Sequence, residues 1–315
     1  MNIKSFLINI KNHRTTISRH IVQIIAFIII NYILLELIFS INLLSMESLV
    51  KVLPILNSPR NPISSGAGIL EYIFYFIVDG IFPVFLIAAL IIILLLTNRV
   101  FCGWVCPVGT IQDACAAIPT PKRSIKINTH KSLLKVKYTF VILIIIIVLP
   151  LGITMSTNYE FYVDYRANIG DFGRKPMGFF SLSEYIFVFF PNIIKDMINT
   201  GSLQPLFSNL VTFIIFFFYL IIIILSVWYP RVYCRYFCPF AAIASTVSEY
   251  SFLKLTRNPV RCVGRSDCGI CENICPKQIR ILDEPFEFFT GKGECNFCLK
   301  CKEACPYDAI DMKFG

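Results

Sequence analysis

The chain has 315 residues, is 56% hydrophobic with a mean hydropathy of +0.68, and carries a net charge of +9. That apolar excess is too large for an ordinary soluble domain and points to insertion in a membrane. The positive charge lies in loops beside apolar stretches and forms no basic stripe interleaved with aromatics, which excludes nucleic acid as a partner and fits anchoring to membrane lipid.

Residues 1–20 carry Lys4, Lys11, Arg14 and Arg19 and read as a cytoplasmic N-terminal segment. The apolar run that follows is long enough to span and ends in no small-residue cleavage pattern, so it reads as a retained helix rather than a signal peptide. Crossing a hydrocarbon core takes about 20 apolar residues. Four stretches reach that length, at roughly 21–41, 73–97, 138–156 and 207–229, and together they predict a mainly α, four-helix transmembrane bundle. The inner segments 1–20 and 97–137 hold 11 Lys/Arg in 61 residues, against 6 in 78 for the outer segments 42–68 and 156–206. The positive-inside rule then makes this a multi-pass protein of the cell membrane with both termini in the cytoplasm. Residues 179–198 are apolar as well, but Glu184, Pro191 and Lys195 argue for an interfacial or re-entrant segment. A fifth crossing would also put two matching cysteine motifs on opposite faces.

Those motifs are Arg99-Val100-Phe101-Cys102-x3-Cys106-Pro107 and Arg231-Val232-Tyr233-Cys234-x3-Cys238-Pro239, both RV(F/Y)CxxxCP. Each follows a helix running inward and precedes a short helical stretch, at 109–117 and 240–250. The unit of two helices and a cysteine hairpin is thus used twice with the same polarity, as two parallel repeats in a membrane domain over 21–250. A two-fold axis along the membrane normal would bring the hairpins together. Cys102, Cys106, Cys234 and Cys238 could then hold one further Fe–S centre at the membrane edge or act as a pair of redox-active dithiols. Arg99 and Arg231 could tune the neighbouring thiolates electrostatically, but they read first as interfacial anchors of their helices. Cys115, outside every run, reads as a small buried hydrophobe.

Residues 251–315 read as a small α+β domain built on two cysteine runs, Cys262-x5-Cys268-xx-Cys271-xxx-Cys275-Pro276 and Cys295-xx-Cys298-xx-Cys301-xxx-Cys305-Pro306. In such runs the Cys before Pro serves the other run's cluster. Cys262, Cys268, Cys271 and Cys305 would hold one [4Fe–4S] cluster, and Cys275, Cys295, Cys298 and Cys301 a second. Cys262 sits on a widened loop. The spacing is a poor match to a closed zinc site of four cysteines. Ile270, Ile274, Ile279, Phe297 and Ile310 are expected to shield the clusters.

Two intramembrane carboxylates, Glu36 and Asp79, are candidates for accepting a proton from a quinol, although their nearness to the interface favours plain solvation. His13, His20 and His130 offer no facing pair, and no CxxCH is present, so no haem is expected. Ser65-Gly66-Ala67-Gly68 lacks the context of a nucleotide loop.

With four helices, two CxxxCP motifs and a terminal ferredoxin pair, the chain resembles the NapH/NosR-type membrane polyferredoxins, through Cys102, Cys106, Cys234, Cys238 and the eight terminal cysteines. The resemblance implies electron transfer between the quinone pool, or a cytoplasmic donor protein, and a partner oxidoreductase. It also leaves room for a redox assembly or regulatory factor that supplies electrons to mature a metalloenzyme. The large periplasmic flavin-binding region of the regulators is absent from these 315 residues.

Overall fold

The computed structural model describes residues 14–32, 44–55, 68–170, 173, 176–207 and 209–315. The fold is mainly helical, with one small two-stranded sheet near the C-terminus. Two helical stretches are long and apolar enough to cross a membrane, Ile127–Thr157 and Leu210–Trp228. The first expected span begins earlier than hydropathy suggests, as a helix over Arg14–Ile30. Its expected continuation over 33–41, with Glu36, lies outside the described residues, as do Lys4, Lys11, His13 and Ser65-Gly66-Ala67.

The second expected span, 73–97, is not one helix. It is divided into Ile69–Val78 and Val84–Thr97. The cause is local: Gly80 adopts φ +75°, its N–H donates to the Ile77 carbonyl (3.0 Å), and the Ile81 N–H donates to the Phe76 carbonyl (2.8 Å). This reciprocal pair closes a helix on a left-handed glycine. Pro83 then caps the start of the next helix. The second helix has 14 residues and so is roughly 21 Å long, short of a hydrocarbon core of about 30 Å. Asp79 sits exposed at this break. Residues 182–200 are helical throughout, as Leu182–Glu184, a π-helical turn Tyr185–Phe189, and Phe190–Thr200.

The two cysteine hairpins start differently, Arg99 at φ −100° and Arg231 left-handed at φ +56°, but then match through the short helices Val100–Trp104 and Val232–Tyr236. Cys106 and Cys238 are both extended N-caps (φ −62°, ψ 123° and φ −71°, ψ 117°), each followed by Pro at the first helical position of Pro107–Ala117 and Pro239–Ser248. Their N–H groups donate to equivalent carbonyls, Phe101 (2.9 Å) and Tyr233 (3.0 Å). The packing is reciprocal too: Pro107–Ala117 lies against Arg14–Ile30 and Leu210–Trp228, while Pro239–Ser248 lies against Val136–Thr157 and Val84–Thr97. Each short helix therefore touches one helix from its own half and one from the other. The chain after each short helix also ties to the opposite half, by Arg123 N–H to the Trp228 carbonyl (2.9 Å) and Phe252 N–H to the Leu95 carbonyl (2.7 Å).

A buried ion pair locks the halves. Arg231 donates from Nε and NH2 to both carboxylate oxygens of Asp113 (2.8 and 2.6 Å) and from NH1 to the Cys102 carbonyl (2.7 Å). Arg19 approaches the same carboxylate at 3.5 Å, and Gln23 donates to it at 2.8 Å. Neither Arg99 nor Arg231 is an interfacial anchor: they are 1% and 0% exposed. Arg99 donates to the Gly293 carbonyl (2.9 Å) and to Glu294 (3.1 Å), which Lys137 also pairs.

Through Glu294 the helical part holds the terminal region. There, antiparallel strands β1 (Leu253–Arg257) and β2 (Ile310–Phe314) pair from Leu253↔Phe314 to Arg257↔Ile310. Leu255, Ile281, Phe289, Phe297, Leu299 and Ile310 form its core, and Val100 and Trp104 of the first hairpin pack against it. Trp104 Nε1 donates to the Phe297 carbonyl (2.8 Å). A Cβ on Gly103 would meet the Asn296 carbonyl oxygen at 2.1 Å, so only glycine allows this approach.

Two outcomes follow from these contacts. Asp113→Asn strands two buried guanidinium groups and should cost ~3–5 kcal/mol, read as a fall in unfolding midpoint in detergent. Gly103→Ala should cost ~1–3 kcal/mol by overpacking and should increase proteolysis between residues 248 and 253; unchanged cleavage would contradict the close seating.

Candidate iron–sulfur sites

All thirteen cysteines are free of disulfides. Eight of them surround two cavities of nearly equal empty volume. One, ≈ 350 Å³, is lined by Cys262, Cys268, Cys271 and Cys305. The other, ≈ 360 Å³, is lined by Cys275, Cys295, Cys298 and Cys301. Each cavity gathers three thiols of one run and the Cys-Pro thiol of the other. Cys262 reaches its cavity despite the longer loop.

The two runs fold alike because the same backbone exceptions recur at the same places. Gly269 and Leu299, each following the second Cys of its run, are left-handed (φ 74° and 58°). So are Gln278 and Asp308, three residues beyond Cys275 and Cys305 (φ 54° and 47°). Such positions cost energy outside glycine and persist where the surrounding structure demands them. Backbone amides reach sulfur here: Ala309 N–H donates to Cys305 Sγ (3.4 Å) and Phe297 N–H to Cys295 Sγ (3.5 Å). Donors aimed at sulfur are among the protein's means of setting an Fe–S potential. Phe297 and Ile310 are buried, Ile270 and Ile310 line the first cavity and Ile279 the second, whereas Ile274 is exposed (42%) and lines neither.

The hairpin cysteines Cys102, Cys106, Cys234 and Cys238 are all buried. Burial pushes the Cys234 and Cys238 thiols up; Cys234 adds to the rise at Cys238, while Lys277 and Arg231 oppose it at Cys234. Gln112 donates from Nε2 to Cys234 Sγ (3.0 Å) and the Ala241 N–H donates to Cys238 Sγ (3.4 Å). Among the described residues no three His, Cys, Asp or Glu converge tightly enough to hold a single metal ion. The eight terminal thiols line the two cavities instead. Cys115, half-buried with its thiol raised by burial, joins none of these groups.

The carboxylates beside the hairpins are strongly ionised. Burial alone would push Asp113 up, but Arg231 and then Arg19 hold it well below the usual carboxylate range. Glu294, likewise opposed by burial, is brought to about 2 by Arg99, Lys137 and Lys277. Sequence reasoning passed over both acids. The available signal was their position: Asp113 lies within the repeat's short helix and Glu294 immediately precedes Cys295.

The hairpins adjoin the second cavity directly. Gly103 abuts Asn296, and Lys277, two residues after Cys275, donates from Nζ to the Cys234 carbonyl (2.9 Å). The cavity of Cys275, Cys295, Cys298 and Cys301 is therefore proximal to the hairpins and the other is distal.

Comparison with known proteins matches a 4Fe-4S binding domain twice, over residues 79–126 and 210–256, so that each copy contains one CxxxCP hairpin. The chain is 29% identical to protein MJ0750 of Methanocaldococcus jannaschii over 73% of its own length and 79% of that protein. It is 27% identical to YccM of Escherichia coli, which is named for a proposed role in electron transport, over 70% of this chain and 52% of YccM. The regulatory protein NosR of Stutzerimonas stutzeri is 23% identical over 67% of this chain and 24% of NosR. The chain thus spans about half of YccM and a quarter of NosR. A 53-residue stretch is 32% identical to a ferredoxin of Methanothermococcus thermolithotrophicus, covering 87% of it. No solved structure matches. By these matches the chain is an iron–sulfur binding protein and a distant homologue of the NapH/NosR-type polyferredoxins.

Proposed function

We propose that this protein is a membrane-bound electron carrier with three Fe–S centres in series, passing electrons between a quinone pool or cytoplasmic donor and a partner redox enzyme. One observation carries the reading: Gly103 of the first hairpin abuts Asn296 and the Cys234 carbonyl of the second accepts from Lys277, both beside the proximal cysteine cavity, which shares its two cysteine runs with the distal one. The cofactors, when bound, supply one-electron chemistry. The chain's own residues hold the thiols, exclude water and donate hydrogen bonds to sulfur.

The assignment to the distal cavity is Cys262, Cys268, Cys271 and Cys305; to the proximal cavity, Cys275, Cys295, Cys298 and Cys301; and to the hairpin centre, Cys102, Cys106, Cys234 and Cys238. Burial supports a centre over redox dithiols at the hairpins, since reactive thiols are exposed and have lowered pKa values. Cys234 and Cys238 are neither. The location of both family matches on the hairpins supports the same choice. The reading places the chain in the cell membrane as a four-span bundle with cytoplasmic termini, its second crossing made by two helices in series.

A quinone entry point is supported by an open apolar cavity beside the second hairpin, lined by Phe140, Phe180, Phe218, Tyr219, Tyr233 and Phe237 among others. Tyr233 and Tyr219 donate to the Phe180 and Phe179 carbonyls, so the 179–198 segment walls the cavity. The name of the NosR relatives supports a second reading, a redox factor serving maturation or regulation. A respiratory carrier must turn over at the pace of its reductase, whereas a maturation factor acts once per enzyme molecule.

Purified full-length protein should contain about twelve iron atoms, four per centre, and Cys102→Ser should reduce this to about eight; unchanged iron in that variant would remove the hairpin centre. Phe218→Trp, which fills the apolar cavity, should abolish reduction of the protein by a quinol while reduction by dithionite continues. Equal loss with both reductants, or with neither, would argue against quinone entry there.

A further inference from the structure

The boundary between the hairpins and the terminal region contains more buried positive charge than its carboxylates can neutralise. Arg231 and Arg19 face Asp113, and Arg99 and Lys137 face Glu294. Arg235 and Lys277 are also buried, at 1% and 3% exposure. Among the described residues neither has a carboxylate within ion-pair distance. Lys277 donates to the Cys234 carbonyl. Arg235 donates from NH2 to Tyr236 Oη (2.6 Å) and Gln278 Oε1, while its Nε and NH1 have no acceptor. A cation buried with neutral partners alone loses more in hydration than those bonds return. Burial brings the Lys277 ammonium down to about 7, with Glu294 the one carboxylate acting on it and that from beyond ion-pair distance, so an anion at the cysteine sites would hold both cations charged.

The thiols around this boundary show where that anion belongs. Arg99 acts electrostatically on Cys102 of the first hairpin and on Cys295 of the proximal cavity. Arg231 acts on Cys234 and on Cys298. Lys277 acts on Cys234, and Arg235 on Cys275. Every one of the four thus faces a cysteine of the hairpin group, the proximal group or both. The distal cavity has one buried cation, Arg257, in its lining, whereas the proximal cavity's lining holds none and its four cations act from the hairpin side. A cubane held by four thiolates is an anion in both oxidation states and gains a further negative charge on reduction. A nearby fixed cation therefore favours the reduced form.

We propose that Arg99, Arg231, Arg235 and Lys277 form a cationic layer that neutralises the two centres on either side of it and holds the proximal ferredoxin cluster at a higher potential than the distal one. For the hairpin side this rests on the three-centre reading; for the proximal cluster it does not. These are positioning residues, acting through charge rather than by ligating iron.

The test is an EPR-monitored redox titration of the purified full-length protein, with iron counted in every sample. The proximal signal is identified as the one that Cys298→Ser perturbs. Lys277→Gln and Arg235→Gln should each shift its midpoint downward and leave the distal midpoint in place, while Lys277→Arg should behave as the unmodified chain. Glu294→Gln removes a negative charge and should shift the proximal midpoint upward. If Lys277→Gln loses iron, recovery in Lys277→Arg supports charge compensation, and the same loss in Lys277→Arg counts against it. An unmoved proximal midpoint in both neutral variants at full iron content, or an equal shift of both clusters, overturns the proposal. Unchanged iron in Cys102→Ser would end the hairpin centre separately, without touching the proximal measurement.

Discussion

The contact on which the rest depends is the buried pairing of Arg231 with Asp113. One guanidinium, at the start of the second hairpin, spends two donors on a carboxylate from the first half's short helix and a third on the carbonyl of Cys102. It therefore specifies not only that the halves associate but how the two CxxxCP turns face each other. A planar fork with a fixed donor pattern imposes that geometry in a way that apolar packing alone does not. The cost of dehydrating it is large, so the pair is better understood as a device for register than as a source of net stability.

The equivalent arginine of the first hairpin has been turned to another task. Arg99 pairs with Glu294, one residue before Cys295, and so couples the helical part to the loop that presents the proximal thiols. Two copies of one motif thus divide the work: one arginine joins the halves, the other joins the halves to the ferredoxin-like region. Gly103 and Trp104 complete that second junction by close backbone approach and by a hydrogen bond to the Phe297 carbonyl. These contacts seat the first hairpin directly on the loop that carries Cys295 and Cys298.

Several features were legible in the residues alone. The repeat was visible as a matched RV(F/Y)CxxxCP, and past the arginines its two copies do share backbone geometry down to the capping cysteines. The break in the second apolar stretch was also written there, in Asp79-Gly80 followed by Pro83, but a hydropathy average over about 20 residues passes across a three-residue signal. Helix-ending chemistry acts locally while hydropathy is a sum, which is why the two disagreed. Arg99 and Arg231 were misread for a different reason. A basic residue at a helix end usually meets water or lipid headgroups, and only the approach of a distant segment can reverse that expectation.

The sequence by itself determined the chemistry: cysteine spacing, the Cys-Pro terminations and the apolar stretches are local patterns, and metal affinity and membrane preference follow from local composition. Tertiary structure alone decided which acid each buried arginine meets, that the hairpins lie behind the proximal rather than the distal cavity, and that Arg235 and Lys277 are left without a carboxylate. Those outcomes depend on pairs such as Arg99 with Glu294 or Lys277 with Cys234, far apart along the chain. Charge compensation in a buried volume depends on everything that surrounds it, and no local pattern in the chain encodes that sum.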